Sequence, residues 1–314
     1  MASFRVIHPN SSRFNMIAQS TAGVEFVGHL MRYAEVEFDG STHKLLRLGN
    51  CEFEFDASEV VYSGAYPGRI ETIQSALKDV FKDTISSSFR FVLPSSALTQ
   101  FESSVANPSD EQALKSQIGF ETLLLNGGES GGDVFPGEQM TQSSPLVQGY
   151  AVHHLSQRIS DRIRALCTVF PSQTKGHIPS PNASLRSFRR LSEQGNMSNQ
   201  NALLIGCYPD HTDYTVISAG IPVKMISRNT PTHSDRIYFG HEALTRLVPG
   251  SLKSPQVYVY GHVVHPDLVA GLVEDFGPQA QVLNPGPLVN LDKNRFEDGF
   301  PIEAFVPCLG ASIR

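Results

Sequence analysis

The chain lacks the features that mark three broad classes of protein. Its formal net charge of −6 and its isoelectric point near 6.0 disfavour a nucleic-acid-binding protein, because such proteins usually present a basic surface. No apolar run approaches about 18 residues, and the first residues contain no apolar core of a secretory leader, so neither a membrane-spanning helix nor a signal peptide is predicted. We therefore expect a soluble protein of the cytoplasm that reaches a membrane only through a partner.

Cysteine is scarce and widely spaced. Cys51, Cys167, Cys207 and Cys308 are the four cysteines of the chain, and their spacing excludes a CxxC-type zinc motif and gives no disulfide framework. Reduced thiols, as in cytosolic proteins, are the expectation. No spacing of histidine and acid marks a nucleophilic triad, so no catalytic residue is assigned and no metal is expected.

The sequence also has no P-loop. The glycine-rich segment 127–137 contains acidic residues and lacks the Gly-Lys-Ser/Thr ending that a phosphate-binding loop of this kind requires. Because the longer segment 126–145 is rich in glycine and serine and poor in apolar residues, we expect a flexible loop or a boundary within the chain there.

The most informative pattern that is present lies in residues 201–228. An apolar run at 202–206 leads through a polar turn to a second run at 214–218, which returns through a tight turn to a third at 221–226. Apolar runs of this length between turn residues are typical of strands. The segment therefore predicts three strands joined by a short loop and a tight turn.

Both halves of the chain begin with strands and continue with alternating helices and strands. Apolar residues at helical spacing predict helices at 69–82 and 153–169, and the segment 171–181 is expected to be a loop. A strand meander followed by helix and strand pairs is typical of an α/β lobe of the ribonuclease H type. We predict two such lobes, 1–150 and 151–314.

The region 87–150 is predicted to form a small inserted α/β subdomain within the first lobe. A strand at 89–94 closes with a proline, and residues 108–111 have the composition of a helix start. The helix that follows is expected to run to about residue 125.

Four segments carry a resemblance to a known family. They are the hairpin 203–228, the strand and helix start at 257–268, the short strand that ends at 284–285, and the closing segment 304–312. In this order and spacing they resemble the actin-like ATPase superfamily, and within it the PilM-type proteins of type IV pilus assembly, relatives of the cell-division protein FtsA. The resemblance implies the actin-like fold, with two ribonuclease H-like lobes and a small inserted subdomain.

Nucleotide-binding members of that superfamily use two Asp-Ile-Gly loops to hold Mg²⁺ and phosphate, and a Gly-Gly pair at the adenosine. The matching positions here are occupied by His8, Pro9 and Asn10, by Leu204, Ile205 and Gly206, and by Gly261 and His262. Leu204 carries no charge for a cation, Pro9 has no backbone N–H for a phosphate, and His262 fills space that a purine would use. We therefore expect no ATP hydrolysis, weak or absent nucleotide binding and no cofactor.

The resemblance implies a bacterial adaptor rather than an enzyme. Proteins of the PilM type lie at the cytoplasmic face of the inner membrane, where they hold a short cytoplasmic tail of a pilus or secretion component. By this resemblance the tail binds in a groove of the inserted subdomain. The candidate contact residues are Phe91, Leu98, Phe101 and Leu114.

An enzyme of the same fold with a rebuilt site is the alternative. In that case Asp210, Asp213 and Glu242 would carry the metal and base roles around Mg-ATP, because carboxylates are the ligands that Mg²⁺ prefers. Nucleotide found in the cleft between the lobes would favour the enzyme, whereas a cleft blocked by Leu204 and His262 would favour the adaptor.

Overall fold

The computed structural model describes residues 19–105, 111–125, 132–140, 148–195, 201–245, 255–289, 291 and 299–313. These residues form two five-stranded sheets, a three-stranded sheet and the helices that cover them. The apolar segments 4–7 and 14–18, which the sequence also predicts as strands, both lie outside the described residues.

The first sheet combines a meander with two parallel strands. Its strands are β1 (Gln19–Val27), β2 (Leu30–Phe38), β3 (His43–Glu52), β4 (Ser88–Leu93) and β8 (Thr174–Pro179), in the order β3-β2-β1-β4-β8. The first three form the antiparallel meander, and β4 and β8 are added in parallel. The chain is buried along almost the whole of β1, because β1 is the central strand and both faces of the sheet are covered.

The second sheet repeats this arrangement. Its strands are β9 (Ala202–Cys207), β10 (Thr212–Ser218), β11 (Ile221–Arg228), β12 (Gln256–Gly261) and β13 (Ala280–Val282), in the order β11-β10-β9-β12-β13. β9, β10 and β11 are antiparallel neighbours, whereas β12 and β13 run parallel to β9. The three strands predicted within 201–228 are therefore confirmed.

The inserted subdomain is a three-stranded antiparallel sheet with one helix. It consists of β5 (Thr99–Val105), α2 (Glu111–Leu125), β6 (Asp133–Met140) and β7 (Gln148–Leu155), in the strand order β5-β7-β6. The expectation of a loop throughout 126–145 was wrong, because β6 lies within it and pairs with β7. β6 contains glycine and proline, which are uncommon in strands, so the composition of this segment does not predict a strand.

The sheets do not divide at residue 150. β8 lies in a segment expected to be a loop, yet it pairs in register with β4 and completes the first sheet. The first sheet therefore draws its strands from residues on both sides of the insert, and the second sheet begins only with β9. We place the change from one lobe to the next after β8 rather than at 150.

The helices predicted at 69–82 and 153–169 are present as α1 (Ile70–Val80) and α3 (Gln157–Leu166), although residues 153–155 belong to β7. The other helices are α4 (Ser180–Gln194), α5 (His233–Thr245), α6 (Pro266–Phe276) and α7 (Val306–Ser312). α1 and α3 cover one face of the first sheet with a core that includes Ile73, Leu77 and Ile163. In the described part of the chain, no helix combines the length and apolarity needed to cross a bilayer.

The short helix α7 packs between the two sheets, and two glycines allow its close approach. A Cβ on Gly310 of α7 would lie 1.9 Å from the carbonyl oxygen of Ala183 in α4, and a Cβ on Gly23 of β1 would lie 2.1 Å from the carbonyl oxygen of Cys308. Leu309 contributes to a core that contains residues of both sheets. α7 is therefore the element around which the lobes are assembled.

We expect Gly310→Ala to destabilise the fold, because its methyl group overlaps the backbone of α4. Overpacking of this kind costs about 1–3 kcal/mol, measured as the free energy of unfolding in urea.

The matched control is Gly119→Ala in α2, where a Cβ would meet no atom within 4 Å. There alanine removes the helix penalty of glycine, which is up to about 1 kcal/mol, so the variant should equal or exceed the parent. A Gly310→Ala protein as stable as the parent would contradict the packing described for α7.

Candidate functional site

Two hairpin turns at corresponding places in the two sheets line one cavity. The β1–β2 turn contributes Gly28, and the β9–β10 turn contributes residues 208–211, around a volume of about 450 Å³. The sequence placed the first of these loops at His8, Pro9 and Asn10, which lie outside the described residues. Within the described residues, the topological counterpart of the second loop is the turn at Gly28 and His29.

Glu25 and Arg32 are the charged residues at the base of the first turn, and both contact the second lobe. They are directly opposite each other on β1 and β2, and both are buried. The hydroxyl group of Tyr208 donates a hydrogen bond to Glu25 Oε1 over 3.3 Å. The Arg32 guanidinium donates to Nδ1 of His262 and reaches the carbonyl oxygen of Ala304.

The side chain of Tyr208 forms one wall of the cavity between the two turns. It is 1 % exposed, its hydroxyl group also shares a hydrogen bond with Ser180, and its ring stacks on the His211 ring with centroids 4.6 Å apart. An aromatic side chain held at three points does not leave this position easily. The cavity therefore has a rigid aromatic wall.

Burial controls the ionisation of Glu25. Removal from water raises its pKa to about 7, and the nearby Arg32 and the Tyr208 hydroxyl group reduce this rise. At neutral pH this carboxyl is thus poised between its neutral and charged forms.

His211 is held between two carboxylates. Its Nδ1 lies 2.7 Å from Asp210 Oδ1, and its Nε2 lies 3.7 Å from Asp213 Oδ1. Burial acts to lower the pKa of His211, but Asp213 and Asp210 outweigh it and the pKa is raised. Burial also raises the pKa of Asp213, and the nearby His211, Ser95 and Ser227 reduce this rise.

His262 is neutral and acts as an acceptor in this structure. Burial and the adjacent Arg32 lower its pKa to about 4, so its Nδ1 can accept from the guanidinium at neutral pH. Its backbone N–H donates to the carbonyl oxygen of Cys207 over 2.7 Å. His262 therefore ties the end of β12 to the first sheet.

The other positions matched to a nucleotide site serve the packing of the second sheet. Leu204 and Ile205 are inside β9 and almost fully buried. A Cβ on Gly206 would lie 2.6 Å from the hydroxyl oxygen of Tyr260. Gly261 has φ +114° and its Cβ would lie 2.4 Å from the Cys207 carbonyl oxygen. These side chains do not fit a Mg-nucleotide, since none of them offers a cation ligand or a free approach to phosphate.

The three acids of the alternative site do not form one cluster. Asp210 and Asp213 flank His211, whereas Glu242 lies on α5 with its carboxylate 3.8 Å from Arg228 Nε. Among the described residues, no group of three or more His, Cys, Asp or Glu side chains is arranged to hold a metal ion. The geometry thus gives no support to a rebuilt metal site.

A second cavity, about 780 Å³ in volume, lies between the inserted subdomain and the outer strand of the first sheet. We call it the β6–β8 groove. It is lined by residues 132–135 at the start of β6, by residues 175–177 of β8, and by Arg164, Cys167 and Thr168. Asp133 fixes this wall, since it accepts a hydrogen bond from Ser160 and lies 3.6 Å from Arg164.

The predicted contact residues do not line either cavity. Phe91 is 1 % exposed and belongs to the core of the first lobe, so its assignment as a partner contact was wrong. Leu98 packs against the same core, and Phe101 and Leu114 are half-buried. The residues of the β6–β8 groove were missed because β6 and β8 were both read as loops.

The pH dependence of stability tests the burial of Glu25. Its pKa is raised from 4.5 to about 7 in the folded protein, so the folded state binds this proton more tightly than the unfolded state. The stability that the bound proton contributes is fully present at low pH and is lost as pH rises through about 7. Glu25→Gln keeps an acceptor for Tyr208 but has no charge to bury. Relative to the parent, the variant should therefore gain about 2–3 kcal/mol between pH 4.5 and pH 7.

Chemical unfolding of both proteins across this pH range measures the difference. Parallel stability profiles for the parent and Glu25→Gln would show that Glu25 ionises normally in the folded protein.

Comparison with known proteins supports the fold through structure rather than sequence. No protein-family model and no curated protein matches the chain. The structure of the PilM–PilN type IV pilus biogenesis complex aligns with a TM-score of 0.68 at 12 % identity, over 93 % of this chain and 97 % of that chain. A Bacteroides thetaiotaomicron protein of unknown function with an actin-like ATPase fold aligns with a TM-score of 0.50 at 13 % identity, over 88 % and 95 % of the two chains. The chain therefore has the actin-like ATPase fold, as the sequence predicts, and is structurally similar to PilM.

Proposed function

We propose that this protein is a non-enzymatic adaptor of the bacterial cytoplasm. It would dock a short cytoplasmic tail of an inner-membrane component of a pilus or secretion machinery, and it would lie at the membrane only through that partner. The observation that carries the proposal is the contrast between the cleft, whose walls include Tyr208 and several carboxylates, and the β6–β8 groove, whose walls include an outer strand and apolar side chains.

The cleft is unsuited to a nucleotide for electrostatic and steric reasons. Tyr208 forms one wall of it, and the carboxylates of Asp210 and Asp213 lie in and beside the second turn, where a phosphate would meet like charge. Leu204, at the position matched to the Mg²⁺-binding aspartate of the second loop, carries no carboxylate. These features support a scaffold that has kept the fold without the ATPase site.

The β6–β8 groove has the properties of a site for an extended peptide. β8 is an outer strand of the first sheet, so one row of its backbone groups can pair with an added strand. The wall opposite β8 carries Val134, which is 36 % exposed, and Phe135, whose ring meets that of His177 edge-on at 6.3 Å. Backbone pairing would supply affinity, and these apolar side chains would supply selectivity.

The structural relative is a complex named for PilM and PilN, which supports a protein partner for this chain as well. We infer the class of partner from the similarity to that complex, and we infer the place of docking from the β6–β8 groove. Nucleic acid is not proposed as a partner, because the chain is acidic overall.

The test is binding of synthetic peptides that cover the cytoplasmic tails of the host's single-span inner-membrane proteins, measured by fluorescence anisotropy. We expect at least one tail to bind saturably, and Val134→Asp to weaken it about tenfold or more, because a charge would be placed against an apolar contact.

The matched control is Val282→Asp on β13, a valine of nearly equal exposure (37 %) in the other lobe, which should leave binding unchanged. α2 offers a competing surface, since Phe120, Leu124 and Leu125 are more than half exposed. Loss of binding in Leu124→Asp but not in Val134→Asp would place the docking surface on α2. If none of the tail peptides bound saturably, the adaptor function would be contradicted.

A further inference from the structure

The outer side of helix α2 is apolar, although the solvent side of a surface helix is normally polar. α2 (Glu111–Leu125) turns Ile118 and Thr122 inward, where both are buried. Four large apolar side chains of its second half are 38–64 % exposed; they are Phe120, Leu123, Leu124 and Leu125. A cluster of exposed apolar side chains on a soluble protein is typical of an interaction surface.

The solvent side of α2 carries no charge. Residues three and four positions apart share one side of a helix, and seven exposed residues lie on this side. They are Gln112, Ala113, Ser116, Gly119, Phe120, Leu123 and Leu124, and we call them the α2 face. When two identical surfaces pack about a two-fold axis, a charge near the axis meets a copy of itself. The α2 face avoids that repulsion, although the whole chain has a net charge of −6.

The distribution of side-chain size along the α2 face suits a second copy in the antiparallel direction. The first half of the face has only short or polar side chains, whereas the second half has three large apolar ones. If a two-fold axis passes at the level of residue 118, Phe120 of one copy lies opposite Ser116 of the other, and Leu123 lies opposite Ala113. Large side chains then fill the space above small ones, as close packing of two helices requires. A parallel pair would place large against large and leave the small residues unpacked.

The exposed area of the α2 face predicts a weak dimer. From their exposed fractions, Phe120, Leu123 and Leu124 together present roughly 300 Å² of apolar surface per copy. The small residues and the margins of the face bring the area buried by two copies to roughly 1,000 Å² in total, which is near the lower limit for a specific interface. We therefore expect reversible association rather than an obligate dimer.

A lipid surface fits α2 less well than a second copy does. Helices that lie on a membrane carry lysine and arginine residues beside their apolar face. α2 contains one lysine, Lys115, and two glutamates, Glu111 and Glu121, so it has little attraction for anionic headgroups. The uncharged surface of a second copy requires no such basic margin.

We propose that this protein forms a reversible two-fold dimer in which two α2 faces pack antiparallel. The residues that line the β6–β8 groove are not part of the α2 face, so the dimer does not rest on the proposed docking of a tail. Each dimer would present two grooves, which strengthens attachment to a partner that is itself present in several copies.

Sedimentation equilibrium across the micromolar concentration range tests the dimer. The mass of the parent should rise from that of one chain, 34.4 kDa, towards twice that value as the concentration is raised. Leu124→Asp should weaken association about tenfold or more, because a charge is placed within the apolar contact. Ile85→Asp is the matched control and should associate as the parent does, because Ile85 lies outside α2 and is as exposed as Leu124 (64 %).

Cysteine cross-linking tests the direction of the two helices. The four native cysteines are buried, so a thiol introduced on the α2 face is the accessible one. With an axis at the level of residue 118, the thiol of Ser116→Cys lies about 6 Å along the helix from its copy, and that of Ala113→Cys about 15 Å, because the rise is about 1.5 Å per residue. A disulfide bond tolerates only the shorter separation, so Ser116→Cys should couple on oxidation and Ala113→Cys should not.

A mass of one chain at every concentration would overturn the proposal, and so would equal association in the parent and in folded Leu124→Asp. Equal coupling of Ala113→Cys and Ser116→Cys would overturn the antiparallel arrangement. A monomer that sediments with phosphatidylcholine vesicles, or that loses tail binding in Leu124→Asp, would assign the α2 face to a lipid surface or to the tail instead. A monomer that still binds tails at the β6–β8 groove would overturn the dimer and leave the proposed function intact, so the two failures are distinguishable.

Discussion

The two lobes are joined through one cross-strand pair of buried charges. Glu25 and Arg32 stand opposite each other on β1 and β2, and each is satisfied by the other lobe, through Tyr208 and through His262. A buried charge without a partner is expensive, so separation of the lobes would expose both groups or leave them unpaired. The close packing of α7 against α4 and β1 adds an apolar core around this pair.

This arrangement distinguishes the cleft from the β6–β8 groove. The cleft between the turns is narrowed by Tyr208 and has carboxylates in its walls, so anionic ligands are disfavoured there. The β6–β8 groove lies at the outer edge of the first sheet, where backbone groups and apolar side chains are accessible. The actin-like fold thus supplies a rigid frame, and the groove supplies a surface suited to a protein partner.

The sequence predicted most of the second lobe because its signals are local. Residues 202–226 alternate apolar runs with turns, and a strand and a helix start are recognisable at 257–268, so strands β9 to β11 and the start of helix α6 could be placed within a few residues. In the first lobe the same reasoning failed at β6 and β8. These strands contain Pro136, Gly137 and Gly176, and they are stabilised by pairing with distant strands rather than by their own composition.

The chemistry of the site was harder to predict than the fold. Leu204 and His262 were recognised as departures from a nucleotide site, but Glu25, Arg32 and Tyr208 were not singled out. Their roles depend on contacts between residues more than 180 positions apart, such as Tyr208 with Glu25, and no spacing within the sequence reveals these. A charged residue within the buried run of β1 was the one local signal that could have drawn attention to Glu25.

The most direct measurement is equilibrium binding of Mg-ATP to the purified protein, followed by calorimetry with phosphate release assayed in parallel. The account predicts no saturable binding at millimolar nucleotide and no release of phosphate, because Tyr208 narrows the cleft, the carboxylates in its walls repel phosphate, and Leu204 offers no ligand to Mg²⁺. Saturable Mg-ATP binding that protects the two hairpin turns from hydrogen exchange would contradict it.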